Sequence, residues 1–210
     1  MKDLLNIYNN IKPEITNRIK EFKSVWENAN EKRLFQELAF CLLTPQSKAR
    51  NAWKTINVIT KNNKLFNANA SDISTDLNLV RFKNNKSNYI VKAREMFFSN
   101  SQGIRKTLSE FTTIKEKRNF LNKNIKGYGL KESSHFLRNI GFVEDITILD
   151  RHILKNLKKY NVISEIPKSL SEKKYYEIEN SMKNFSEETS ISLEHLDLLF
   201  WYKETGEIYK

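Results

Sequence analysis

An all-helical fold is what this sequence predicts, and three observations carry the prediction. Apolar residues recur at spacings of three and four along almost the whole chain. Five glycines and three prolines in 210 residues leave few breaks in that pattern. No segment shows the period-2 alternation of a half-buried strand, and no repeat or low-complexity linker interrupts the chain. A chain of this length makes one large domain or two small lobes.

The elements follow in order. Ile11, Ile15, Ile19, Phe22 and Trp26 form the first stripe, with Pro13 tolerable near its start. Asn30 is placed to cap the next helix, whose stripe is Leu34, Phe35, Leu38, Ala39 and Leu42. Thr44-Pro45 ends it, because a residue before proline leaves the helical region. Ala49, Ala52, Trp53, Ile56 and Thr60 give a third stripe. Residues 61–75 are polar and Asn-rich and read as a loop with one short turn. A weaker helix is expected through Asp76 to Val80, then a basic loop from Arg81 to Lys86. Tyr89, Ile90, Ala93, Met96 and Phe97 mark a further helix, which Gly103 separates from Ile104, Leu108 and Phe111. Phe120, Leu121 and Ile125 lead to the most informative stretch. Beyond it, helices are expected around Ile153 to Leu157, Tyr175 to Phe185 and Leu193 to Phe200, with Pro167 in a connector.

Charge and cysteine usage narrow the function. Lys and Arg number 36 against 25 Asp and Glu, a formal net charge of +11. Such a basic chain favours polyanion partners, whether DNA, RNA or an anionic membrane and nucleic acid first among them, although a solvated Lys-rich surface gives the same excess. Cys41 is the only cysteine, which excludes an intrachain disulfide and a four-cysteine zinc or iron–sulfur site. His135, His152 and His195 share no metal-ligand spacing, so no metal is expected. The N-terminus lacks the apolar core of a signal peptide and no run approaches a membrane span, so the expectation is a cytoplasmic chain with no membrane partner.

The stretch IKGYGLKESSHFLRNIGFVEDITILDRHIL, Ile125 to Leu154, carries the chemistry. Gly127 and Gly129 break one helical pattern just before another opens. Both glycines are free to take positive φ, and unpaired N–H groups at the helix start suit one phosphate. Outward carbonyls of the turn also offer a place for a monovalent cation. A plain glycine cap between helices would look the same. Ser133, four residues after Gly129, permits close helix packing. Lys131 stands in the first turn, where the helix dipole favours the neutral, nucleophilic amine able to form a Schiff base. A solvated surface lysine is the bland alternative. Asp150 ends an apolar run and precedes a helix, so it reads as an N-cap. A carboxylate held that way is also suited to stabilise an oxocarbenium ion at a sugar C1′. His152 is placed to touch a phosphate, whereas His135 reads as a packed structural residue.

Gly127, Gly129 and Lys131, followed by Asp150 and His152, resemble the helix–hairpin–helix DNA glycosylase superfamily. The resemblance implies Lys131 as nucleophile and Asp150 as essential carboxylate. No Gly or Pro immediately precedes Asp150, a departure from the usual pattern. Leu42 to Gln46 resembles the segment whose Gln46 fills the space of an extruded base, and Arg81-Phe82 resembles the loop that wedges the duplex. Phe82 read alone is equally a buried loop anchor. Lacking cluster cysteines and an N-terminal β domain, the chain is similar to the short type 2 8-oxoguanine DNA glycosylase/AP lyase family. KGYGLKESSHFLRNIGF and LDLLFWYKETGEIYK carry that similarity. It implies that Trp201 stacks on the flipped base and that the terminal carboxylate of Lys210 reads the purine edge. By residue type alone, Trp201 is a core residue and Lys210 a frayed end.

What the resemblance implies for the fold is two helical lobes with a DNA cleft between them. One spans residues 31–142 and includes the hairpin; the other joins 1–30 to 143–210. The implied partner is duplex DNA bearing an oxidised base, bound by a monomer associated with the nucleoid. The alternatives are a glycosylase/lyase of the same fold for another damaged base and a helix–hairpin–helix module that only binds DNA.

Overall fold

The computed structural model describes residues 1–99 and 102–210. Those residues form twelve helices and no strand: α1 (Lys2–Asn28), α2 (Glu31–Leu43), α3 (Ala49–Lys61), α4 (Lys64–Asn67), α5 (Ala70–Asp76), α6 (Lys83–Phe98), α7 (Gly103–Ser109), α8 (Ile114–Asn124), α9 (Leu130–Asn139), α10 (Arg151–Lys159), α11 (Glu172–Thr189) and α12 (Leu193–Thr205). Local chemistry explains the boundaries. Asn30 Oδ1 accepts from Arg33 N–H at 2.9 Å, Asn69 caps α5 in the same way, and Thr113 and Glu116 close a capping box on α8. No helix among the described residues is long and apolar enough to cross a membrane.

The apolar faces gather into two cores. The first takes Phe35, Leu38, Phe40, Ile56, Ile90, Phe97, Leu108 and Phe136, all nearly or wholly buried, and is centred on α2. α2 carries nine buried residues because other helices cover it on most sides. The second core joins Leu4, Ile15 and Phe22 of α1 to Leu149, Leu157, Met182 and Phe200 from the C-terminal helices. Several residues cross the expected division of the chain: Leu130 of α9 buries in the second core, Ile146 buries in the first, and Val25, Trp26 and Ala29 pack against the first from the end of α1.

Four segments differ from the sequence expectation, each for a packing reason. α1 begins at Lys2, so Pro13 lies well inside it; Leu4 and Tyr8 extend the stripe upstream because α12 covers them. The expected loop 61–75 contains α4 and α5, each pinned by one fully buried residue, Leu65 and Ile73. The weak helix through Asp76 to Val80 is instead a pair of turns, with Leu77 and Val80 tucked into the core. The basic run becomes helical from Lys83, and Lys86 is buried on the face of Ile90, Ala93 and Phe97.

A bidentate ion pair, the most deeply buried of those between the two halves among the described residues, helps to tie them together. Arg118 of α8 donates to both carboxylate oxygens of Glu179 in α11, at 2.5 and 2.8 Å. Arg118 also meets Ser134 Oγ of α9 at 3.3 Å, while Glu179 accepts from the N–H and hydroxyl of Thr147. Tyr175 completes the hold, donating to the Thr147 carbonyl at 2.7 Å and accepting from Leu149 N–H. Removing one partner strands the other charge away from water. Glu179→Ala is therefore expected to lower unfolding stability by about 3–5 kcal/mol, measured by urea denaturation, with Glu179→Asp less damaging.

Candidate active site

The turn between α8 and α9 is held from both sides. Tyr128 is buried, and its hydroxyl donates to the Leu38 carbonyl of α2 at 2.8 Å. Gly127 takes φ +93°, and a Cβ there would strike the Tyr89 ring. Gly129 does not share that geometry. It is extended, at φ −111°, and N-caps α9, donating its N–H to Glu132 at 3.2 Å. One N–H expected for a phosphate is thus taken by the helix's own first-turn acid. Lys126 and Gly127 remain exposed on the outer face of the turn. Of its carbonyls, Ile125's accepts from Tyr128 N–H.

Lys131 follows in the first turn of α9 with its side chain 24% exposed and its Nζ 3.5 Å from Glu132 Oε1. Asp150 caps α10 as its position predicts. Oδ1 accepts from His152 and Ile153 N–H at 2.8 and 2.9 Å, leaving Oδ2 without a protein donor among the described residues. The segment before Asp150 hangs on Glu179 and Tyr175, and α9, which bears the lysine, is packed by Phe136 and Leu137 in the first core and by Leu130 in the second. Both line one cleft of about 830 Å³, together with Gln46, Arg81, His152, Trp201 and Lys210. Phe82, Gly127 and Gly129 do not line it: Phe82 and the turn present to the outside.

Comparison with known proteins gives the family and the fold. The family described as 8-oxoguanine DNA glycosylase matches residues 15–191. A relative from Fusobacterium nucleatum, named 8-oxoguanine DNA glycosylase/AP lyase, is 48% identical over 99% of this chain and 96% of its own. One of the same name from Methanocaldococcus jannaschii is 41% identical over 95% and 93%. The chain belongs to the 8-oxoguanine DNA glycosylase family. Among solved structures, the Methanocaldococcus jannaschii 8-oxoguanine glycosylase/lyase in complex with a 15mer DNA containing 8-oxoguanine superposes with a TM-score of 0.89, at 39% identity, covering all of this chain and 98% of that one. The Thermotoga maritima 8-oxoguanine DNA glycosylase gives 0.87 at 34% identity, covering 100% and 97%.

In this glycosylase-family chain, the far end of the cleft is closed by the C-terminal segment. Lys210 is not frayed. Its ammonium bonds Glu37 and lies 3.6 Å from the Trp53 ring centroid. Glu37, fully buried, also accepts from Arg33 at 2.6 Å and Asn139 at 3.1 Å. Arg50 adds an ion pair to Glu207 and stacks on Tyr209 at 4.9 Å. Trp201 meets the His152 ring edge-on at 5.1 Å, and its buried indole N–H has no partner among the described residues. Among the described residues Nη1 of Arg138 also makes no hydrogen bond, while its Nε meets only the more distant Asp197 carboxylate. Burial, followed by the charges of Arg138 and Lys131, holds the His135 imidazole well below its usual range, in the neutral form. His135 is thus packed against Phe40, as expected, yet also faces the cleft.

Sequence reasoning passed over Glu37, Arg138 and Asp197. Glu37 had a signal, since it is an acid on the most buried helix. Asp197 had none: it lies four residues before Trp201 and reads as an exposed acid. In the fold it lines the cleft with its Oδ2 3.7 Å from Arg138 Nε. Burial pushes its pKa up from 3.8 to about 6, opposed by Arg138 and aided by Asp150. A carboxyl raised this way binds its proton more tightly in the folded state, so its contribution to stability is lost as pH rises through the window. Between pH 4 and 6, wild type should lose up to about 3 kcal/mol of stability relative to Asp197→Asn. Thermal unfolding of both proteins across that range checks the slope.

Proposed function

We propose that the chain is a bifunctional DNA N-glycosylase/AP lyase that excises 8-oxoguanine from duplex DNA. The observation that carries the proposal is the convergence of Lys131 and Asp150, from two different helices, on one cleft that also contains Trp201. The relatives' shared name supports 8-oxoguanine as the substrate base.

The chemistry follows from what each residue is able to do. The exposed hairpin turn takes one phosphate on its N–H groups, with or without a monovalent cation bridging from its carbonyls. Phosphate contact fixes the register of the duplex, His152 adds a second hold, and the net charge of +11 steers the approach. Gln46 and Phe82 enter the stack and offset the cost of unstacking, while the damaged nucleotide turns out into the cleft. There Trp201 offers its face to the base. Lys210, anchored by Glu37, brings the end of the chain to the purine edge.

Departure of the base leaves positive charge on the sugar, which the open Oδ2 of Asp150 stabilises. The Lys131 amine, having lost its proton, attacks C1′, and the base leaves with the bonding pair and gains a proton. Ring opening gives a Schiff base. Loss of a C2′ proton then expels the 3′ phosphate, and water releases the enzyme. The same contacts suit a monomer acting on nucleoid DNA in the cytoplasm.

Borohydride trapping on a duplex containing 8-oxoguanine tests this directly. Wild type is expected to form a covalent adduct. Lys131→Gln should form none, and Asp150→Asn should excise more slowly by about 10²-fold or more. An undiminished adduct with Lys131→Gln, or none with wild type, overturns the mechanism.

A further inference from the structure

Lys86 is a buried lysine outside the reaction chemistry. It continues the inward face of α6 one turn beyond Ile90 and is only 3% exposed. Its three N–H donors meet three acceptors: the carbonyls of Leu43 and Pro45, both at 2.8 Å, and Ser47 Oγ at 3.1 Å. The Leu43 carbonyl is an orphan of the α2 terminus, and a lysine that only capped the helix would stop there. This one also grips the loop beyond. Burial, aided by the charge of Lys131, brings its pKa down to about 8, so the charged clasp is retained against a real desolvation cost.

The clasp reaches a second loop through Ser47. The Ser47 hydroxyl oxygen accepts from Arg81 N–H at 3.0 Å, Arg81 Nη1 stands 3.5 Å from Gln46 Oε1, and Asn51 Nδ2 donates to the Leu79 carbonyl at 3.4 Å. The two loop tips are strained. Gln46 sits at φ +54° and Phe82 at φ +59°, the left-handed region that a side chain disfavours by roughly 1–2 kcal/mol. Phe82 is 54% exposed on its tip, which rules out burial as the force that holds it there. Two strained, outward residues on adjacent loops need a rigid base, and Lys86 with Ser47 is the group that supplies it.

We propose that Lys86 is a positioning residue that, through Ser47, sets Gln46 and Phe82 at the spacing needed to enter the DNA stack. The proposal rests on the duplex-opening role given above to those two residues. It acts on the opening of a duplex, not on the bond-breaking steps at Lys131. A strand that is already single has no stack to enter, so it should not need the clasp.

Lys86→Met and Ser47→Ala provide the test, the second being a mild change should the first fail to fold. In single-turnover excision of 8-oxoguanine from a duplex, each folded variant should be slower by about tenfold or more. On the same strand without its complement, each should stay within about twofold of wild type. A second measurement needs no catalysis: binding to a duplex with an uncleavable abasic analogue opposite 2-aminopurine. Wild type should change the fluorescence as the wedge residues enter, and the variants should bind with that change reduced. Equal losses on duplex and single strand, or undiminished fluorescence in Ser47→Ala, overturn the proposal. Wild-type protein that shifts the fluorescence, with the variants failing to, but excises nothing would leave this inference standing and remove the glycosylase reading instead.

Discussion

The geometry of the site depends on the buried Arg118–Glu179 pair. Arg118 belongs to the helix that leads into the hairpin and touches Ser134, one turn along the helix that bears Lys131. Glu179 holds Thr147, three residues before Asp150. Lys131 and Asp150 stand on different helices, and a directional contact between the elements that support them helps to keep the two side chains in register. A bidentate Arg–carboxylate pair has the required directionality, since its two parallel N–H···O bonds resist sliding as well as separation. A hydrophobic contact there would give comparable stability with less orientation.

The cleft combines anchored and unsatisfied groups. Its distal wall, the segment after α12, is clasped by Glu37 and Arg50 from the first core. In contrast, Arg138 Nη1 and Trp201 Nε1 make no hydrogen bond among the described residues. Buried polar atoms left in this state cost stability, and a ligand with matching edges recovers that cost. A flipped purine has such edges. The cleft is thus anchored by ion pairs at one end and keeps polar atoms open to a ligand elsewhere.

Backbone strain is distributed in the same functional way. Gly127 takes its left-handed conformation without penalty, and it does so where the turn presses on Tyr89. Gln46 and Phe82 take similar angles with side chains attached, at positions facing outward. At the hairpin, glycine lets the backbone pack against Tyr89, whereas beside Gln46 and Phe82 the hydrogen bonds of Ser47 and Arg81 offset the strain.

Much of this was legible in the order of residues, and the remainder was not. Long stripes, caps such as Asn30 and Asp150, and the Gly-X-Gly turn depend on neighbours within a few positions, so the sequence alone determined the helical class, the bounds of capped helices such as α2 and α10, and the local setting of Lys131. The short helices α4 and α5 escaped because a single buried residue each, Leu65 or Ile73, leaves no periodic trace. Lys86 and Glu37 show the same limit from the other direction. A charged residue on an apolar face is visible in sequence, but its partner, 43 or 173 positions away, is not. Trp201 and Lys210 read as core and frayed end by residue type, and a family resemblance was needed to suggest more. Tertiary structure decided which distant groups meet, because burial and long-range hydrogen bonds are properties of the packed chain, whereas capping and periodicity are properties of a short segment.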